Sequence, residues 1–420
     1  MEHVISWIAL AEILGPRSHL LRPLLAHFKT PEAVFEADEA AIRAALPDIG
    51  AGTLSSILHK RSEENAKHYA HWCRQSGIRV LTYDSPEYPA CLRDLDEPPA
   101  VLYCKGKMPA MDKRLAIGVV GARKADAYGE QVAYKLSFEM AAAGAVIVSG
   151  LAEGVDGIAS AAAINAGGES IAVLGCGIDI VYPKQHTRLA AEVANSGCVI
   201  SEFSPGTMPN GWNFPIRNRL ISALSGAVLV VEAGEKSGAL ITARYAVVQG
   251  KTLFAVPGDI TSPRSVGTNR LLYDGALPAL CAEDILGYFH FLYRDALRLS
   301  VLPEAMQYST LTPEALRPFG MRVTQTEAPV PEEKPQREGR KRRPEREQAP
   351  EAPQKKAFSA DVAALTPRQR EIYSYLPDTA FSVDVLAACG VPVSEAVSTL
   401  TVFEIYGLIH SIPGGMFEKN

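Results

Sequence analysis

No Cys-x-x-Cys pair occurs among the seven cysteines of this chain, which stand singly at 73, 91, 104, 176, 198, 281 and 389. An odd, scattered set excludes a disulfide framework and a zinc ribbon, so the cysteines read as reduced thiols. No uninterrupted apolar run reaches the roughly 18 residues that a membrane-spanning helix needs. The opening stretch, "MEHVISWIALAEILG", carries an early Glu and no basic region of the kind that begins a signal peptide. The cytoplasm is therefore the expected compartment. An excess of positive charge is missing as well. A formal net charge of -5 argues against coating nucleic acid by bulk attraction, but leaves room for a local basic patch.

Catalytic signatures are also lacking. There is no HExxH, no GxSxG and no paired metal-ligand spacing. "QGKT" (249–252) resembles the end of a P-loop, but Tyr245 stands where the first glycine should be, and the local order is helix to strand rather than strand to helix. "GCG" (175–177) follows an apolar run without the third glycine of a dinucleotide fingerprint. No cofactor, no metal and no convincing catalytic constellation is expected.

What the chain does have is length and order. Its 420 residues, 47% of them hydrophobic, allow two to four domains and at least one large core. Residues 1–65 read as short helices forming a small SAM-like or helix-hairpin-helix-like domain. Its "LPDIGAGTLSSIL" (46–58) places Gly-x-Gly before a helix, where free N–H groups can hold a phosphate or simply close a tight turn. Residues 66–290 alternate strand and helix. "IRVLTY" (78–83) and "AVLYCKG" (100–106) suit outer strands. "LAIGVVG", "AVIVSG", "SIAVLGCG", "CVISE", "GAVLVVEA" and "TLFAVPG" then follow at regular intervals. Near-continuous Val, Ile and Leu means burial on both faces. The predicted fold class is α/β, an extended Rossmann-like, doubly wound, mostly parallel sheet.

Residues 291–357 read as a helical extension and then a linker, with 324–357 rich in Pro, Glu, Lys and Arg and poor in apolar residues. Residues 358–420 predict three helices, near 367–376, 383–389 and 394–406, and a hairpin turning at Pro-Gly-Gly, which together make a winged helix. That domain holds three cations against seven carboxylates, and "SEAVSTLTVFEIY" has neither Lys nor Arg. Phosphate contacts supply most DNA affinity, so this domain is expected to bind protein, or DNA only poorly.

The cations of the larger domain are ordered differently. "GARKADAYG" places Arg123 after one strand, and "VYPK" places Lys184 after another. "NFPIRNRLIS" contributes Arg217, Asn218 and Arg219, and "GEKSGALITA" contributes Lys236, Ser237 and Thr242. "DITSPRSVGTNRLL" adds Arg264 and Asn269. In a doubly wound sheet these strand ends share one edge, where ligands bind. Lys and Arg at helix starts oppose the helix dipole, so an anion explains them better than stability does. Asp156 and Glu232 lie in the same region and could neutralise the cations, and His186 reads as a structural residue. Trp212 and Phe214 could stack on a base or be buried in the sheet–helix interface.

The ordered motifs "VGARKA", "SGLAEGVDGIASAAA", "AVLGCGIDIVYPKQH", "SEFSPGTMPNGWNFPIRNRLIS", "VVEAGEKSGALITA" and "LFAVPGDITSPRSVGTNRLLYDGA" resemble the DNA-processing protein A (DprA/Smf) family over about 80–290. The resemblance implies a non-catalytic protein that binds single-stranded DNA in natural transformation and helps load the recombinase RecA. It also implies a homodimer made through the Rossmann-like domain. The basic pocket it implies comprises Arg123, Lys184, Arg217, Arg219 and Lys236. Asn218, Ser237 and Thr242 join it as DNA-binding candidates from the same two motifs. Ala122 stands where the family often has Ser or Thr, which removes one possible phosphate hydrogen bond. Two alternatives stay open. One is a nucleotide-cleaving phosphoribohydrolase of a related Rossmann-like superfamily, although "EAGEKSGALITA" lacks that group's Pro-Gly-Gly start and catalytic Glu. The other is a nucleotide-sensing scaffold whose winged helix recruits a partner.

Overall fold

A computed structural model describes residues 1–324, 365–405, 407–412 and 416–419. Nearly all of the linker read over 324–357, and the Pro-Gly-Gly turn at 413–415, lie outside the described residues. The chain divides into two compact units, Met1–Ala328 and Pro329–Asn420.

The first unit opens with six helices, α1 (Glu2–Leu14), α2 (Leu21–Phe28), α3 (Pro31–Glu36), α4 (Glu39–Ala45), α5 (Ala51–Leu58) and α6 (Glu63–Gln75). Local chemistry explains their starts. Thr30 accepts the Ala33 N–H with Pro31 at the first helical position, and Asp38 accepts the Ala41 N–H. Trp7, Ile8, Leu10, Leu24, Ile42 and Ile57 from these helices are buried in one continuous core with Tyr103, Ile117 and Ala172 of the sheet. The helical region is thus packed on the sheet rather than separate from it.

Then come β1 (Arg79–Thr82), α7 (Ala90–Arg93), β2 (Val101–Gly106), β3 (Ala116–Val120), α8 (Ala127–Ala142), β4 (Val146–Ser149), α9 (Val155–Asn165), β5 (Ser170–Leu174), α10 (Thr187–Ser196), β6 (Cys198–Ser201), α11 (Asn213–Ala223), β7 (Ala227–Val230), α12 (Ala239–Val248), β8 (Thr252–Ala255), α13 (Val266–Tyr273), β9 (Leu277–Pro278) and α14 (Ala282–Phe289). The nine strands form one sheet in the order β1-β2-β6-β5-β4-β3-β7-β8-β9. The ladders from β6 through to β9 are parallel, whereas β2 runs antiparallel to both β1 and β6. Every residue of β3, β4, β5, β6 and β7 is buried. Their apolar runs therefore face helices on both sides. The fold is the mostly parallel Rossmann-like α/β sheet that the sequence predicts. β9 was not anticipated, because two exposed residues carry no alternating pattern.

From β3 the chain crosses to β4 on one side, while β7 pairs with β3 on the other. A crevice opens at such a reversal, beyond the carboxyl ends of the strands. After α14, α15 (Leu302–Tyr308) and α16 (Pro313–Leu316) return along α8 and α9. Asn165 Nδ2 donates to the Ala315 carbonyl at 2.9 Å there.

In the second unit, α17 (Pro367–Ser374), α18 (Asp384–Ala388) and α19 (Val393–Ile405) precede a hairpin of β10 (Ile409–Ile412) and β11 (Met416–Lys419). Thr366 caps α17 reciprocally with Gln369. Ile372, Phe381, Leu386, Leu400 and Phe403 form its core. This is a winged helix. Two of its three cations are spent internally, Arg368 on Glu371 and Glu395 and Lys419 on Asp378.

Candidate nucleic-acid interface

A cleft of about 690 Å³ lies at the sheet's reversal point. Its walls are the ends of β3 and β7 and the loops that follow β3, β7 and β8, and the first turns of α11 and α12 form its mouth. Arg123 and Lys124 come from the β3–α8 loop, Arg217 and Asn218 from α11, Lys236 and Ser237 from the β7–α12 loop, and Arg264 from the loop after β8. Thr242 lines it from α12. Six of the eight residues singled out in the sequence therefore meet here: Arg123, Arg217, Asn218, Lys236, Ser237 and Thr242. Lys124 was overlooked, although it is adjacent to Arg123.

Arg217 is the most constrained member, only 3% exposed. Its Nη1 donates to the Gly150 carbonyl at 2.7 Å and to the Val173 carbonyl, at the ends of β4 and β5. Its Nε donates to Asn218 Oδ1 at 3.2 Å. Burial drives its pKa down to about 10, so the guanidinium remains charged at neutral pH. The hydrogen bonds that Arg217 makes to the described residues all come from Nε and Nη1, and the side chain lines the cleft. Burying a cation with an unspent donor is costly unless something accepts from it.

Around it the cations are more exposed. Arg123 lies 5.0 Å from the centre of the Phe214 ring, and Arg217 lies 6.0 Å from it. Tyr182 packs on the same ring at 5.7 Å. Phe214 is thus half-buried between two cations and a second aromatic ring rather than sealed in the sheet–helix interface, and Trp212 beside it is largely exposed. Among the described residues, neither Arg123, Lys124 nor Lys236 has an ion-pair partner. The N-terminus of α12 opens on the cleft at Gly238 and adds partial positive charge there, although its first N–H groups are taken up locally, that of Ala239 by Ser237 Oγ at 3.3 Å and those of Leu240 and Ile241 by the Ser237 and Gly238 carbonyls.

Two buried carboxylates form the floor. Asp156 accepts the Gly150 N–H at 3.0 Å, and burial raises its pKa even beside Arg217. Glu232 accepts the Asp126 N–H at 3.1 Å and faces Arg264 at 3.4 Å. Burial pushes Glu232 up to about 7. Arg264 also donates to the Lys124 carbonyl, joining the loops after β3 and β8. Asn269 holds the second of these through both backbone groups of Gly258, at 3.1 and 3.0 Å.

Two predicted residues fall elsewhere. Arg219 is also 3% exposed, but it is on another face of α11, and its Nη2 donates to both Glu202 oxygens at 2.6 and 2.8 Å. Residues two apart on a helix point about 200° apart, so Arg217 and Arg219 cannot hold one anion together. Lys184 is exposed on a 3₁₀ turn (Lys184–His186) and does not line the cleft. Its neighbour Tyr182 reaches the cleft through Phe214. His186 is buried, with Nδ1 bonded to the Leu151 carbonyl at 2.9 Å, a structural role. Among the described residues there is no cluster of metal-ligating side chains and no helix long and apolar enough to cross a membrane.

The family model for DNA recombination-mediator protein A matches residues 79–290, and the model for the DprA winged helix domain matches residues 350–415. DNA processing protein DprA of Bacillus subtilis is 45% identical over 212 residues, 50% of this chain and 71% of that protein. Protein Smf of Escherichia coli is 34% identical over 346 residues, 82% of this chain and 78% of that protein. Among solved structures, DNA processing protein A from Streptococcus pneumoniae superposes with a TM-score of 0.59 at 29% identity, covering 67% of this chain and 97% of that one. The two family models, the identity to these relatives and the superposition agree, and this chain belongs to the DNA recombination-mediator protein A (DprA/Smf) family.

Proposed function

We propose that the cleft binds the backbone of single-stranded DNA and that the protein is a non-catalytic mediator that shields such strands and passes them to a RecA-type recombinase. The observation that carries this reading is Arg217, a buried guanidinium on the wall of a cleft rimmed by unpaired cations, hydrogen-bonded through Nε and Nη1 alone. A forked donor at fixed orientation suits a phosphate oxygen. Arg123, Lys124, Lys236 and the α12 N-terminus extend the positive surface over more than one phosphate. Phe214, Tyr182 and Trp212 offer ring faces that unstacked bases can use and paired bases cannot. Phosphate and stacking contacts carry little sequence information, so recognition is sequence-tolerant.

Lys184 serves this reading as a contact for the strand beyond the cleft, on the Tyr182 side. Arg219 does not, because its charge is already paired. The acidic winged helix is assigned to a protein contact. A homodimer is proposed through the edge strand β9. Tyr273 and Leu280, both more than 70% exposed, stand in the segments immediately before and after that strand. Contiguous exposed apolar residues mark association surfaces, and a second copy would cover the open strand edge.

Anisotropy titration of a fluorescent 30-mer of oligo-dT against a duplex of equal length tests the reading. Preference for the single strand supports it, and equal or no binding overturns it. Glu232, a cleft carboxylate poised near neutrality, favours one second reading, a nucleotide-cleaving enzyme. Release of free base from nucleoside monophosphates, abolished by Glu232→Gln, would establish that instead.

A further inference from the structure

α11 carries two buried arginines with different employment. Arg217 faces the cleft. Arg219 faces away and is bound to Glu202. Arg219 is not well satisfied there, since its Nε and Nη1 are buried without a hydrogen-bond partner. A buried ion pair seldom adds stability over apolar residues of similar size, and its best-attested use is to fix a register. What it fixes can be followed outward. The Arg17 N–H donates to Glu202 Oε1 at 3.3 Å, and the Arg17 side chain pairs with Glu97 at 2.5 Å. Arg17 is in the α1–α2 loop, with φ at 62°, a conformation that non-glycine residues adopt only when the surroundings hold them there. One turn before that loop, Glu12 of α1 accepts a hydrogen bond from Ser204. The N-terminal helices therefore grip the β6–α11 connection at Glu202 and Ser204. That connection leads directly into Trp212, Phe214 and Arg217.

We propose that Arg219 is a positioning residue and that the N-terminal helices act on DNA binding through it. The pairs Arg17–Glu97 and Arg219–Glu202, with Glu12–Ser204, set the height and rotation of α11, and so the aim of the Arg217 guanidinium and the Phe214 ring. The N-terminal region needs no contact with DNA for this role. The inference rests on the single-strand reading of the cleft.

The test uses the full chain with Glu12→Ala/Arg17→Ala, two partly exposed sites whose loss removes the Ser204 and Glu97 contacts and leaves the Arg219–Glu202 pair in place, and Arg219→Lys, which keeps the charge. Hydrogen exchange is followed over residues 202–216, and oligo-dT affinity is measured across a salt series. For Glu12→Ala/Arg17→Ala, exchange over 202–216 should quicken while β7 stays protected. Affinity should fall roughly 3- to 30-fold with an unchanged log–log salt slope, because no phosphate contact is lost. Arg219→Lys should bind more tightly than Arg219→Ala. Unchanged exchange over 202–216 overturns the inference whether or not DNA binds. A slope reduced by about 0.7, the value of one lost single-strand phosphate, also overturns it, by making Arg17 a direct contact. If the wild type ignores oligo-dT while exchange responds as expected, the single-strand reading fails and the coupling of the N-terminal helices to α11 stands.

Discussion

Gly150 and Arg217 are in direct contact: the guanidinium donates to the Gly150 carbonyl at 2.7 Å and occupies the space that a Cβ at position 150 would need. Gly150→Ala should push Arg217 out of its seat without removing its charge. Oligo-dT affinity should drop by about tenfold or more, against a predicted loss of melting temperature of only a few degrees for overpacking of about 1–3 kcal/mol. Calorimetry and anisotropy on one preparation check both. Unaltered DNA binding would mean that the seat of Arg217 is irrelevant to the ligand.

Phe214 is expected to act through its ring face. Phe214→Leu keeps most of the apolar volume and loses the stacking surface as well as the contact with Arg123. Stacking on an aromatic side chain is worth about 1–3 kcal/mol per base, so affinity for oligo-dT should fall roughly 5- to 150-fold. An abasic strand, which retains its phosphates, should lose much less.

Glu232 makes binding depend on pH. Its folded pKa is raised to about 7 by burial, above the unfolded value of about 4.3. The folded state therefore holds the extra proton, and stability from this group is present below the unfolded value and declines as pH rises towards 7. The charges facing it are Arg264 and Asp126. Protonation removes a negative charge from a phosphate-binding cleft, so single-strand affinity should increase from pH 8 to pH 6. Glu232→Gln should flatten that part of the profile and bind at pH 8 as the wild type does at pH 6. A profile identical in wild type and variant would show that another group titrates.

The apolar residues beside β9 predict the assembly. Leu280→Glu, at an exposed position, should convert a dimer to a monomer in sedimentation equilibrium with little change in melting temperature at low concentration. A wild type that is already monomeric at micromolar concentration would remove this surface from the account.

The sheet was legible because β3 to β7 are buried on both faces, and only uninterrupted Val, Ile and Leu satisfy that. β9 was not, since its pairing depends on the neighbouring β8 rather than on any pattern of its own. Within the site, the rule that strand ends share one edge located Arg123, Arg217, Lys236 and Ser237. It failed for Arg219 because the opening residues of "NFPIRNRLIS" read as a helix start, with both arginines beside one anion. In fact the helix already covers Asn213–Ala223, and its turn sends the second arginine to Glu202. Nothing local in the sequence marks Glu202 as that partner, 17 residues away. The pKa of Glu232 was equally hidden, since it comes from burial beneath the start of α8 rather than from its neighbours in the chain.

The most direct test of the central claim is the salt dependence of oligo-dT binding for the wild type and for Arg123→Ala/Lys236→Ala. Both residues are exposed and unpaired, so the fold is not at stake. Neutralising about four phosphates predicts a log–log slope near -3 for a single strand, and removing two cations should bring it to about -1.5, with a large loss of affinity at low salt. A variant with the wild-type slope and affinity would place the DNA elsewhere and contradict the account.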